Sequence, residues 1–407
     1  MAVSIPRAAV RDLLLLCGGA VLYIAAFFPA VWGSTAWLAV CPFYVALSDK
    51  TPTRGFCVGA VYGLLISAGL TGWASVMPAA SAAAPISLEL LGTLGRFGLS
   101  FGLSYGCVAA LSCILLRSDW PLLRWMGMPA VWVSGELVRT SLQAGFDWDL
   151  LGYTQYQILP LIQIADVTGV YGLSFLLALS GYVVAECVMS LPLPRPLRPE
   201  LYATKRFSLS ALNGLGFGIL LTLLYGMTCL SHYPTLTLAL PPAPTPLSPV
   251  LSESSSLLVE VSLRHSTRPN RAAPVMKKAI FSSEMQQPYL HNLHTPPQHP
   301  CAAPSFLPIT FQAIATRQPF WPQDAMGQLG FVDPAGRCYV LSREEARIVL
   351  RHTSLKSVST LYTAYGDWFA FACFGFSLMV LVRGRKPRAY ARNVSSPDRH
   401  HVAAAVG

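Results

Sequence analysis

Apolar positions fall into eight runs: Leu13 to Val31, Thr35 to Leu47, Phe56 to Met77, Leu88 to Leu116, Met126 to Leu142, Val170 to Leu191, Leu209 to Leu230 and Trp368 to Val382. A helix needs about 20 mostly apolar residues to cross the hydrocarbon core, so the pattern predicts about eight transmembrane helices, the second and last of them short. A long polar insert, Ser231 to Asp367, separates the seventh run from the eighth. The first run follows Arg7 and Arg11. Leu16 stands before Cys17 where a lipoprotein cleavage box would have a small residue, which predicts a retained first helix.

Composition agrees with that pattern. Hydrophobic residues make up 53% of the chain and charged residues 12%, which excludes an ordinary soluble globule. The net charge of +10 does not call for a nucleic-acid partner, because the basic residues sit in short loops beside apolar runs. With the N-terminus inside, the loops at 49 to 54, 117 to 124 and 192 to 206 and the tail from Arg383 all fall on the cytoplasmic side. The loops at 78 to 87 and 143 to 168 contain no Lys or Arg. The positive-inside rule then places both termini in the cytoplasm and the insert outside. Four segments follow: a seven-helix membrane domain at 1 to 232, an extracytoplasmic segment at 233 to 367, a last span at 368 to 382 and a basic tail at 383 to 407. Orientation alone accounts for the basic tail.

The chain is organised around Glu136 to Leu177. Glu136 and Arg139 stand three apart on one helical face. At bilayer depth such residues pair with each other or line a site, and Arg96 is the further candidate partner for Glu136 or for a lipid phosphate. After them comes a Gly- and aromatic-rich loop with Phe146, Trp148, Tyr153 and Tyr156, residues suited to a membrane–water boundary. In order and spacing, Gly145, Phe146, Trp148, Leu151, Gly152, Tyr153, Gln155, Gly169, Val170, Tyr171, Gly172, Ser174 and Phe175 resemble the membrane domain of bacterial apolipoprotein N-acyltransferases. The resemblance makes Glu136, Arg139, Trp148 and Tyr153 the candidate substrate- and lipid-binding residues.

The insert divides in two. From Pro234 to Pro308 it is rich in Pro, Ser and Thr, with one alternating stretch, Leu257 to Leu263, that reads as a strand. From Phe311 the pattern tightens. Asp333 to Gly336 is a turn between two short strands, and Tyr365-Gly366-Asp367-Trp368 reads as an aromatic anchor and N-cap at the last helix. These stretches resemble the end of the same family's nitrilase-like α/β domain, here truncated or divergent. The family's chemistry uses a Glu base, a Lys and a Cys nucleophile. Glu260, Lys278 and Cys301 occur in that order but outside the family's motifs, so they are candidates by order alone.

The resemblance implies transfer of a phospholipid acyl chain to the N-terminal diacylglyceryl-cysteine of a lipoprotein at the bacterial inner membrane, with no cofactor and no metal. The alternatives are an inactive member that still binds lipid and lipoprotein, and a small-molecule transporter. Against the transporter, no internal repeat is visible. The spacing of His291, His294, His299 and Cys301 matches no zinc signature. Of the ten cysteines, eight fall in or beside apolar runs, leaving Cys301 and Cys338 in the insert, where a bridge between them stays open.

Overall fold

A computed structural model describes residues 7–27, 33–76, 88–143, 149–191, 209–233, 307–320, 329–341 and 359–384. Each of the eight apolar runs is helical within these limits. The long helices are α1 (Arg7–Ala25), α4 (Pro52–Val76), α5 (Leu88–Leu116), α6 (Pro121–Leu142), α9 (Tyr171–Ser190) and α10 (Leu209–His232). Shorter pieces are α2 (Ala36–Ala39), α3 (Cys41–Leu47), α7 (Leu159–Ile162), α8 (Ala165–Thr168), α11 (Leu307–Thr316), α12 (Leu361–Tyr365) and α13 (Trp368–Gly384). Among the described residues five helices are long and apolar enough to cross a membrane: those at Ala8–Ala25, Pro52–Gly72, Gly95–Leu116, Tyr171–Ser190 and Leu209–His232. The protein is therefore a mostly helical membrane protein.

The second run is short, as expected, and interrupted rather than one continuous helix. A one-turn 3-10 helix at Gly33–Thr35 leads into α2, and the chain breaks at Val40 before α3 begins with Pro42 in its first turn. Proline cannot donate the backbone bond that would carry α2 through. The broken run nevertheless brings the chain back beside the start of α1, where Asp49 pairs with Arg11 at 3.0 Å and Lys50 with Asp12 at 2.8 Å. Phe43, Tyr44 and Ala46 of this run are inaccessible in the bundle.

α6 holds the centre. It carries Arg124, Glu136 and Arg139, which lipid would not tolerate, and α5, α9 and α13 pack around it. The periphery is apolar and open: Leu13, Leu14 and Val21 of α1 and Phe217, Leu220, Leu221 and Leu224 of α10 are all exposed. α4 lies directly against α5 because Gly55, Gly59 and Gly63, four apart, present no side chain to it. A Cβ at Gly59 would collide with the Tyr105 carbonyl, and one at Gly63 with that of Phe101. Between these helices sits an aromatic core in which Phe43 stacks on Tyr62 at 4.7 Å and Tyr105 meets Trp132 edge-on at 5.3 Å.

Arg96 corrects an expectation. It is exposed and does not meet Glu136.

The turn at 333 to 337 is as its sequence predicts. β1 (Leu329–Val332) pairs antiparallel with β2 (Cys338–Leu341), Val332 opposite Cys338. Asp333 Oδ1 accepts from the N–H groups of Ala335 and Arg337 at 3.0 and 2.8 Å, closing the turn from its own side chain. Phe320 adds an antiparallel bridge to Val332. Among the described residues this hairpin is the one sheet of the insert. The strand expected at Leu257 to Leu263 lies outside them.

Candidate functional site

The loop after α6 is held at both ends, and the two holds define the site. At its first end Arg139 Nε donates to Asp149 Oδ2 at 2.9 Å, with both side chains buried to within 1%. The guanidinium also lies over the Phe101 ring, 4.7 Å from its centroid. Glu136 is not its partner. Glu136 Oε1 accepts from the Trp132 indole at 3.1 Å and from the Leu151 N–H at 3.0 Å. Two further side chains complete the hold. The Tyr23 hydroxyl donates to the Asp149 carbonyl at 2.8 Å, and Ser174 Oγ accepts from the Gly152 N–H at 2.9 Å. Gln155 is fixed in turn, accepting from Trp37 Nε1 and donating to the Gly33 carbonyl.

Of the two expectations for Glu136 and Arg139, pairing with each other or lining a site, the direct pairing is replaced by two separate anchors on one loop. The physical reason is geometric: Glu136 serves the backbone of a 3-10 turn, Leu151–Gln155, whose first N–H groups have no partner within the turn. Asp149 escaped the sequence reading. The signal was the absence of Lys and Arg from the loop, which left its acids no nearby cation except Arg139.

Polar atoms in this cluster outnumber their partners. Glu136 Oε2, Arg139 Nη2, Asp149 Oδ1 and the Tyr105 hydroxyl are buried without a hydrogen bond among the described residues. Buried groups of this kind are ordinarily satisfied by ordered water.

At its far end the loop meets the insert. Tyr153, 6% exposed, faces the Phe311 ring of α11 edge-on at 5.0 Å. Asp166 of α8 receives the guanidinium of Arg317, which follows α11, at 2.6 Å. Gly169 turns the chain into α9 with φ of 65°, a conformation open to glycine, and its position beneath Tyr362 leaves no room for a Cβ. Beside it the Trp368 indole donates to the Val167 carbonyl at 2.8 Å, and the Tyr362 hydroxyl to Asp367 Oδ1 at 3.0 Å. Burial pushes the Asp367 carboxyl above its ordinary value, and the Tyr362 bond works against that shift.

Of the sequence candidates, Glu136, Arg139 and Tyr153 come together around this loop, all buried. Trp148, Glu260, Lys278, Cys301 and the histidines at 291, 294 and 299 lie outside the described residues. No group of three His, Cys, Asp or Glu suited to a metal occurs among the described residues. Cys338 is disulfide-bonded, while eight other cysteines are free.

Residues 19–183 match the family model described as the apolipoprotein N-acyltransferase N-terminal domain. The chain is 35% identical over 201 residues to the apolipoprotein N-acyltransferase of Geobacter metallireducens, covering 48% of this chain and 37% of that one. It is 32% identical over 188 residues to that of Azotobacter vinelandii, covering 46% and 35%. Apolipoprotein N-acyltransferase 2 of Treponema pallidum is 36% identical over 96 residues, covering 23% and 16%. The chain thus spans little more than a third of the length of the first relatives it matches. The family match takes in Glu136, Arg139, Asp149 and Tyr153 and ends before Glu260, Lys278 and Cys301.

Proposed function

We propose, from the match of residues 19–183 to the apolipoprotein N-acyltransferase N-terminal domain, that the chain is a member of that family and transfers an acyl chain from a phospholipid to the N-terminal amine of a lipoprotein's diacylglyceryl-cysteine. The observation that carries the reading is the loop from Asp149 to Thr168. It belongs to the family's membrane domain, and it is locked to α6 by Glu136 and Arg139. In this reading Glu136 and Arg139 hold the frame of a lipid entrance, and Trp148 and Tyr153 form its aromatic lip. The protein sits in a bacterial inner membrane with eight spans, both termini in the cytoplasm and residues 233–367 outside. The Lys/Arg asymmetry of the loops supports that orientation, as does the disulfide at Cys338, since such bonds persist in oxidising compartments.

The insert is read as a shortened nitrilase-like segment, with Glu260, Lys278 and Cys301 as candidates for base, lysine and nucleophile by order alone, Cys301 serving only as a free thiol. The test is direct. Purified chain in lipid nanodiscs receives a phospholipid with a labelled acyl chain and a synthetic diacylglyceryl-cysteine peptide. The expected result is label on the peptide amine. A peptide that binds and stays unlabelled would reduce the function to holding the substrate.

A further inference from the structure

Arg317 is a costly residue in its place. It has φ of 51°, the left-handed region that side-chain-bearing residues seldom adopt, and it is 4% exposed. What holds it there is a set of bonds to three residues in two other parts of the chain. Its Nε and Nη2 donate to Asp166 Oδ2 at 3.1 and 2.6 Å, and its Nη1 donates to Gln163 Oε1 at 2.6 Å and to the Pro334 carbonyl at 3.1 Å. The guanidinium plane also lies 5.2 Å from the Tyr233 ring at the end of α10.

Its partners are themselves tied down. The Tyr225 hydroxyl donates to both oxygens of Asp166, and Gln163 Nε2 donates to the Ala335 carbonyl at 2.9 Å. Arg337, from the hairpin, donates to the Tyr233 carbonyl at 2.9 Å. One guanidinium therefore joins α11, the hairpin turn and the loop of α7 and α8, and its ring contact adds the end of α10. A planar fork with five donors can do this, and a lysine ammonium cannot reach the same acceptors together.

We propose that Arg317, acting through Asp166 and Gln163, is the positioning residue that sets the insert in register over the entrance loop. The proposal rests on the acyl-transfer reading for its functional consequence, and on geometry alone for the joint itself. The loop that Glu136 and Arg139 fix to the bundle at Asp149 and Leu151 is the same loop that Arg317 fixes to the insert at Gln163 and Asp166. A shift of α11 relative to Tyr153 changes what faces the entrance without altering the bundle below.

The experiment uses the full chain in nanodiscs. Amide exchange is compared for wild type, Arg317→Gln, Arg317→Lys and Asp166→Asn. The expected result for Arg317→Gln is exchange faster by roughly tenfold or more in α11 and the hairpin, with α4 and α5 unchanged and Arg317→Lys recovering a part of the loss. Unchanged exchange in α11 and the hairpin overturns the joint. An equal rise in α4 and α5 also overturns it, because Arg317 would then support the whole fold. In the labelled-phospholipid assay, Arg317→Gln should lower kcat and leave the phospholipid KM unaltered. An unchanged kcat alongside faster exchange overturns the positioning role. A wild-type chain that transfers nothing counts against the proposed function, and the exchange result still decides the joint.

Discussion

Arg139 pairs with Asp149, ten positions along the chain, and not with Glu136 three positions before it. The guanidinium and the carboxylate are both shut from solvent, so each depends on the other for its charge. Removing one partner of a buried ion pair leaves the other uncompensated and costs about 3–5 kcal/mol. Asp149→Ala should therefore lower the thermal stability of the purified protein strongly. Glu136→Gln keeps an acceptor for Trp132 and Leu151 and should cost about 1–2 kcal/mol. Thermal unfolding in one detergent ranks the two variants, and a Glu136→Gln that is the worse of them contradicts this assignment.

The seam between α4 and α5 makes a second prediction. Gly59→Ala places a methyl group against the backbone of Tyr105, whereas Gly18→Ala in α1 meets nothing within 4 Å. Overpacking of this kind costs about 1–3 kcal/mol. The Gly59 variant should lose stability and the Gly18 variant should not. Equal unfolding temperatures would mean that the helices separate without penalty.

Asp367 predicts a pH dependence. Burial raises its carboxyl in the folded protein, so the folded state holds the proton more tightly than the unfolded state. Stability from this group is present in acid and is lost as pH rises from about 3.9 through the raised value. The difference in unfolding temperature between wild type and Asp367→Asn should therefore move against wild type across that window and level off above it. A difference moving the other way places the shift in the wrong direction.

Cys338 makes a fourth. It is disulfide-bonded, eight of the chain's ten cysteines are free, and Cys301 is the tenth. Digestion without reductant, after blocking free thiols, should yield Cys338 joined to Cys301. A thiolate and a bridge at Cys301 exclude one another, so the same map decides whether that residue can carry an acyl thioester. Recovery of Cys338 as a blocked free thiol would remove the bridge as support for an extracytoplasmic insert.

Much of the bundle was legible because each apolar run carries its own length signal, and the hairpin because Asp333 makes its turn from local bonds. The break at Val40 was less so, since an apolar run reads the same whether its helix is continuous or interrupted. The partner of Arg139 and the exposure of Arg96 depend on how helices rotate about their axes, which spacing along one helix does not reveal. Arg317 was read only as part of a resembling stretch. Its partners Gln163 and Asp166 lie 154 and 151 positions away, beyond the reach of any local pattern.

That separation also sets an order of events. A chain emerging from the ribosome completes α6 through α10, with Gln163, Asp166 and Tyr225 already made, before Arg317 is synthesised. Until then Asp166 has the Tyr225 hydroxyl and no cation of the joint. The connection between insert and bundle is consequently a late step of biogenesis, closed only when translation has passed Arg317, and a chain halted at His232 would carry a finished receptacle with nothing to receive.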